Sequence, residues 1–259
     1  MYISISIFNQ VRLTIYVCSM SFSIRSFNKK NFVFKGGVTQ FSKYDIKQLK
    51  LNNVGFFSTT CADEAQKISL LIANHPGLSE ETLGRKPIIT DACACCGGNF
   101  ISFAFCNRFQ HANAVEVNPA HGTILIQNIQ YTQTVRITDS SMRVFCHSYL
   151  KHMSTLKQDV VFLDAPWGGP GYSKMDTVSL YLGSCHIAVI VSELFKNAVA
   201  TGTKYVVLKV PLNWNVLEMR NMLSKTHEDF LEKNIVLMHN FKKYNIYIVN
   251  FPVVSHGIS

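Results

Sequence analysis

Acidic residues are absent from the first 44 positions, which carry six basic side chains (Arg12, Arg25, Lys29, Lys30, Lys35 and Lys43) before the first acid, Asp45. Charge is sparse throughout: 16% of the 259 residues are charged against 47% hydrophobic, which excludes a disordered tail and supplies a sizeable core. No apolar run approaches the ~18 residues that a membrane span requires. The apolar start is interrupted by Asn9, Gln10 and Arg12 and has no basic stretch ahead of it, which argues against a signal peptide. Regular cysteine spacing is also missing. The eight cysteines, at 18, 61, 93, 95, 96, 106, 146 and 185, do not make a secreted disulfide framework, so reduced thiols in the nucleus or cytoplasm are expected.

What is present is a basic surplus: 25 Lys and Arg against 16 Asp and Glu give a formal charge of +9. That favours a polyanionic partner, phosphate first, with solubility alone as the plainer alternative. Ile3, Ile5 and Ile7 alternate with Ser4 and Ser6 in strand-like period two. Residues 1–44 are read as a basic extension of uncertain role: an arm that contacts RNA, a targeting segment, or neither.

Residues 45–259 read as one domain. Asp63–Asn74 has a helical apolar face, with Asp63 near its start. Short continuous apolar runs at 88–92, 114–117, 144–146, 160–163 and 205–210 alternate with helix-like pieces at 100–107, 120–131, 148–156 and 178–200. Continuous apolar strands between helices imply a mostly parallel α/β sheet covered on both faces. The runs 235–238 and 246–251, around a polar turn, add a terminal antiparallel hairpin.

Ligands in such a sheet sit at the carboxyl ends of the strands. The first strand of this domain runs into Asp91, Cys93, Gly97, Gly98 and Asn99. Glycines there let a backbone approach a ligand, or simply pack a tight turn. Glu116 ends the next strand and stands where a carboxylate can accept both hydroxyls of a ribose; a solvated strand-end acid is the alternative. Cys93 and Cys96 have the spacing of a redox pair or half a zinc site, but Cys106 and His111 do not supply a second ligand pair, and no metal is expected.

The fourth run ends in Asp164, Ala165, Pro166 and Trp167, followed by Gly168, Gly169, Pro170, Gly171 and Tyr172. An aromatic ring fixed beside a proline at a strand end can serve as a platform for a flat base, with the carboxylate as acceptor for an exocyclic amine. Covering the core is the alternative role for the indole.

These motifs resemble the trimethylguanosine synthase family, the RNA cap guanine-N2 methyltransferases. The likeness covers roughly residues 54–250 and rests chiefly on Pro166-Trp167-Gly168-Gly169-Pro170. Phe57-Ser58-Thr59-Thr60 is similar to the family's Phe-Ser-x-Thr segment, and Leu180–Gly183 with Val207–Pro211 look closer to members from large DNA viruses. The resemblance implies a Rossmann-like, class I S-adenosylmethionine-dependent methyltransferase acting on capped RNA. It implies that Phe57, Ser58, Thr60, Asp91, Cys93, Gly97, Gly98, Asn99, Glu116 and Ser148 bind S-adenosylmethionine. Asp164, Pro166 and Trp167 would be catalytic, and Trp167, Lys209 and Asn213 would hold the substrate. Four positions depart from the pattern: Cys95 replaces a glycine, Ala165 a proline, Ser148 an acid and Leu212 an arginine. Those departures motivate two alternatives, a catalytically silent subunit that binds RNA or caps, and an amine methyltransferase for another nucleic-acid base.

Overall fold

The computed structural model describes residues 2–6, 12–17, 49–226 and 234–251. The chain divides into two compact units, Met1–Tyr149 and Leu150–Ser259.

The first unit carries strands β1 (Tyr2–Ser6), β2 (Arg12–Val17), β3 (Ile88–Asp91), β4 (His111–Val115) and β5 (Ser141–Cys146), in the order β1-β2-β5-β4-β3. All pairs are parallel except β1 with β2. The sequence sets residues 1–44 apart as an extension; in the structure β2 of that segment lies in the sheet, with Leu13 to Val17 paired to Met142 to Cys146. Tyr16 stacks on Phe145 at 4.6 Å. The positions of that arm beyond β1 and β2, including Ile7, Arg25, Lys29, Lys30, Lys35 and Lys43, lie outside the described residues.

Helices α1 (Asn53–Ser58), α2 (Ala62–Ala73), α3 (Glu80–Leu83), α4 (Gly98–Phe105) and α5 (Pro119–Val135) complete this unit. The apolar face expected from Asp63 onward is α2, with Ala65, Ile68 and Ile72 buried and Asp63 and Glu64 in the first turn, favourable to the helix dipole. α2 packs on α4, where Ser69 and Ser102 hydroxyls meet at 2.7 Å. α4 buries Phe100 and Phe103, and Phe103 meets Phe109 edge to face at 5.8 Å. Gly97 caps α4 with φ +98, and a β-carbon there would come 2.8 Å from Leu125.

The second unit carries β6 (Val160–Leu163), β7 (Tyr181–Leu182), β8 (Cys185–His186), β9 (Tyr205–Pro211), β10 (Ile235–Asn240) and β11 (Tyr244–Asn250). β6 lies parallel to β9, and β9, β11 and β10 run antiparallel in that order, so the terminal hairpin is present. Helices α6 (Ile187–Lys196), α7 (Ala198–Thr201) and α8 (Val216–Ser224) belong to this unit.

Two helical expectations differ from the structure. Residues 178–186 are not helix but lead into the β7–β8 hairpin, whose turn holds Gly183 at φ +64; His186 then caps α6 through Ala188 N. Residues 148–156 form only a 3-10 turn at Tyr149–Lys151. Among them only Tyr149 and Leu156 are buried, too small an apolar face to support a regular helix.

Candidate active site

The register of β3 with β4 brings Asp91 and Glu116 to neighbouring strand ends. Between them residues 93–97 fold as a hydrogen-bonded turn. Cys93 N donates to Asp91 Oδ1 at 3.2 Å, Ala94 N to Val115 O at 3.0 Å and Cys95 N to Glu116 Oε2 at 2.8 Å. Asn118 N donates to Glu116 Oε1 at 2.7 Å. Both carboxylates are buried. Each Glu116 oxygen retains a lone pair for a further donor.

The glycine pair has a packing role. A β-carbon on Gly98 would lie 2.6 Å from Thr59 Cγ2, so the turn closes against the Thr59–Thr60 segment. The cavity lined by Thr59, Thr60, Gly97, Gly98 and Asn128 is only water-sized. Thr59 Oγ1 on that cavity and Asn99 Oδ1 at the start of α4 are nevertheless buried without hydrogen-bond partners. Buried polar atoms are rarely left so, and these two fit a polar ligand at the turn. Phe57 is 78% exposed, edge to face with Phe56 at 5.3 Å. Ser58 Oγ donates to Val54 O at 2.9 Å and lies 3.7 Å from Cys95 Sγ. Thr60 is buried, and Ser148 is half-buried just after β5.

In the second unit Asp164 follows β6, Pro166 is exposed and Trp167 is half-buried. Gly168 and Gly169 hold φ of +90 and +77 with open space around both, so their backbone conformation is what requires glycine. Pro170–Lys174 forms a 3-10 turn that sets Tyr172 edge to face on Trp167 at 5.1 Å. Tyr244 is tilted toward the indole at 6.1 Å. Trp167 Nε1 is buried without an acceptor, so no hydrogen bond pins the ring.

Lys209 stands elsewhere than expected. It is 4% exposed, and its ammonium lies 2.6 Å from Asp164 Oδ2, 5.2 Å from the Trp167 ring centre and 4.8 Å from that of Tyr244. A cation buried on a central strand needs a counter-charge, and Asp164 supplies it. This charge therefore supports Asp164 and is not presented to a substrate phosphate. Asn213 also holds protein: its amide donates to the carbonyls of Tyr172 at 2.9 Å and Met175 at 2.8 Å, which fixes the glycine-rich loop.

Of the expected donor residues, Asp91, Cys93 and Glu116 meet in the turn after β3, and Thr60, Gly97 and Gly98 line the small cavity beside it; Asp164, Lys209 and Asn213 stand around the Trp167 loop. His121 carries no signal of its own in the sequence, and the sequence does not show that Tyr172 and Tyr244 flank the indole. Its place in the first turn of the helix after Glu116 sets it against that carboxylate.

Residues 86–252 match the model of a family described as RNA cap guanine-N2 methyltransferase, more than half of the chain. The chain belongs to that family. The match contains both carboxylates, the glycine turn, Asp164, Trp167 and Lys209, while Phe57, Ser58 and Thr60 precede it. A relative in Acanthamoeba polyphaga mimivirus, the uncharacterised protein L320, is 28% identical over 179 residues, 67% of this chain. The chain spans 62% of that relative, and the kinship accords with the likeness to large-virus members. A Porphyromonas gingivalis protein proposed to be a methyltransferase superposes with a TM-score of 0.51 at 10% identity, covering 79% of this chain and 44% of its own. An S-adenosylmethionine-dependent methyltransferase of Agrobacterium tumefaciens gives 0.47 at 9% identity, covering 73% and 61%. The fold is that of class I methyltransferases, and S-adenosylmethionine is the cofactor that fold and family imply.

Proposed function

We propose that the protein moves a methyl group from S-adenosylmethionine to the exocyclic N2 amine of a 7-methylguanosine RNA cap. The observation that carries this reading is the Asp164 carboxylate, held by Lys209 beside the Trp167, Tyr172 and Tyr244 rings.

When bound, the cofactor supplies an electrophilic methyl on a sulfonium. Glu116 would accept the ribose hydroxyls, Asp91 the methionine amine, and Asn99 and Thr59 would find the polar partners they lack. Phe57, Ser58, Thr60, Cys93, Gly97, Gly98 and Ser148 complete that set. Trp167 would stack on the purine, whose positive charge strengthens contact with an indole. Asp164 would accept an N–H of the amine and so turn its lone pair toward the methyl. Orientation of this kind can be worth ~7–11 kcal/mol at best. Water or Asp164 then takes the proton. Asn213 and Lys209 act by holding the loop and the carboxylate.

A second reading has its own observation. The Lys209 ammonium already faces Trp167 and Tyr244, and a ring near one cation attracts a second less strongly. An uncharged base amine in RNA or DNA would meet no such opposition.

Tryptophan fluorescence titrations separate the readings. Quenching by a 7-methylated cap analogue at concentrations where unmethylated guanosine triphosphate has no effect supports the cap. Equal quenching by both favours the uncharged base. Cap binding without any binding of S-adenosylmethionine would identify a silent subunit.

A further inference from the structure

Cys95 is one of only two non-glycine residues at positive φ among the described residues, at +47. The left-handed region is unfavourable for an L-residue, a strain that glycine would avoid. Its surroundings give the side chain chemical meaning. Sγ lies 3.9 Å from His121 Nδ1, and that nitrogen lies 3.6 Å from Glu116 Oε1. Ser58 Oγ from α1 is 3.7 Å away, and Cys96 Sγ from the same turn is 3.9 Å away. The turn itself is held rigid, with Cys95 N on Glu116 Oε2 and the Cys96 carbonyl on the Asn128 amide at 2.8 Å.

We infer that Cys95, His121 and Glu116 form a thiol-modification site for low-molecular-weight disulfides, and that the adduct on Cys95 obstructs the donor loop. The arrangement is that of an activated sulfur: thiol, imidazole, and a carboxylate that keeps the imidazole charged. The Cys96 thiol, then His121, lower the Cys95 pKa to about 5. Cys95, then Glu116, raise that of His121 to about 10. Burial moves Cys61, Cys106, Cys146 and Cys185 the opposite way, and Cys96 is raised by its pairing with Cys95. Cys95 is half-buried, whereas its neighbour Cys96 is buried.

In the step, the Cys95 thiolate attacks one sulfur of the disulfide and a new S–S bond forms. The old S–S bond breaks, and its other sulfur leaves as a thiolate that takes a proton from solvent. Cys95 is oxidised and the departing half is reduced. The adduct would stand beside Glu116 Oε2, which Cys95 N already touches. Obstruction of donor binding rests on Glu116 being the ribose acceptor; the reactivity of the thiol does not.

The test treats the full chain with oxidised glutathione at pH 6, maps adducts by peptide mass, and measures S-adenosylmethionine affinity by calorimetry before treatment, after it, and after dithiothreitol. Adduct is expected first on Cys95, about tenfold faster than on any other thiol once the weaker nucleophilicity of an acidic thiolate is allowed for. The wild-type rate should titrate near pH 5, and His121→Asn should slow it. Donor affinity should fall with the adduct, recover with reductant, and be insensitive to treatment in Cys95→Ser. Adduct mainly on other cysteines, or a wild-type rate that titrates near pH 9, overturns the site. Adduct on Cys95 with unchanged donor affinity overturns the obstruction. A chain that binds no donor before treatment refutes the donor reading, while the adduct map still decides the thiol site.

Discussion

Lys209 Nζ lies 2.6 Å from Asp164 Oδ2 because Leu163 of β6 pairs with Leu208 of β9, so the next residue on each parallel strand falls side by side. The lysine is buried and the carboxylate partly so, and the aromatic rings of Trp167 and Tyr244 cover the cation.

Removing the lysine should expose the dependence of this pair. Lys209→Met leaves a largely buried carboxylate without its partner, and a loss of about 3 kcal/mol in urea unfolding is expected. Asp164→Asn combined with Lys209→Met should lose much less than the sum of the single variants. Additive losses would mean that the two groups do not act together.

Trp167→Ala should weaken binding of a 7-methylguanosine cap analogue by about 1–3 kcal/mol, the usual worth of one base stacked on an aromatic side chain. Calorimetry with S-adenosylmethionine should give wild-type affinity in the same variant. Unchanged cap affinity would remove the indole from the site.

Asn213→Ala removes the amide that donates to the carbonyls of Tyr172 and Met175. Two hydrogen bonds of ordinary strength contribute about 1–3 kcal/mol together, and the loop beneath Trp167 should loosen accordingly. Cap affinity should fall while donor affinity holds. A fall in donor affinity alone would contradict a loop-holding role.

The Cys95–His121 pair should leave a mark on stability between two pH limits. A thiol with a depressed pKa stabilises the fold above its unfolded value, and that contribution disappears as pH falls through about 5. A raised histidine stabilises below its unfolded value, and its contribution is lost as pH rises through about 10. Thermal melts of wild type and Cys95→Ala should therefore converge below pH 5. A gap that persists at pH 4 would show that the thiolate is not its cause.

The parallel strands were legible in the sequence because burial on both faces leaves continuous apolar runs such as Val160–Leu163, and strand ends mark where chemistry sits. Asp91, Glu116 and Asp164 were singled out that way, and each does lie at or just after a strand end. The β7–β8 hairpin was hidden because strands of two residues have no period, and only Gly183 signalled a turn. The partner of Lys209 was hidden for another reason: a lysine near a strand end reads as exposed until register places an acid 45 positions away beside it. Tyr244 and His121 likewise gain meaning only from the neighbours that tertiary packing brings.

Mass spectrometry of a cap dinucleotide incubated with the protein and isotopically labelled S-adenosylmethionine bears most directly on the assigned chemistry. A labelled methyl on N2 of the 7-methylated guanine, with none on the unmethylated dinucleotide, is the expected product. Label on uncapped RNA or DNA bases and none on the cap, from protein that binds the labelled donor, would contradict it.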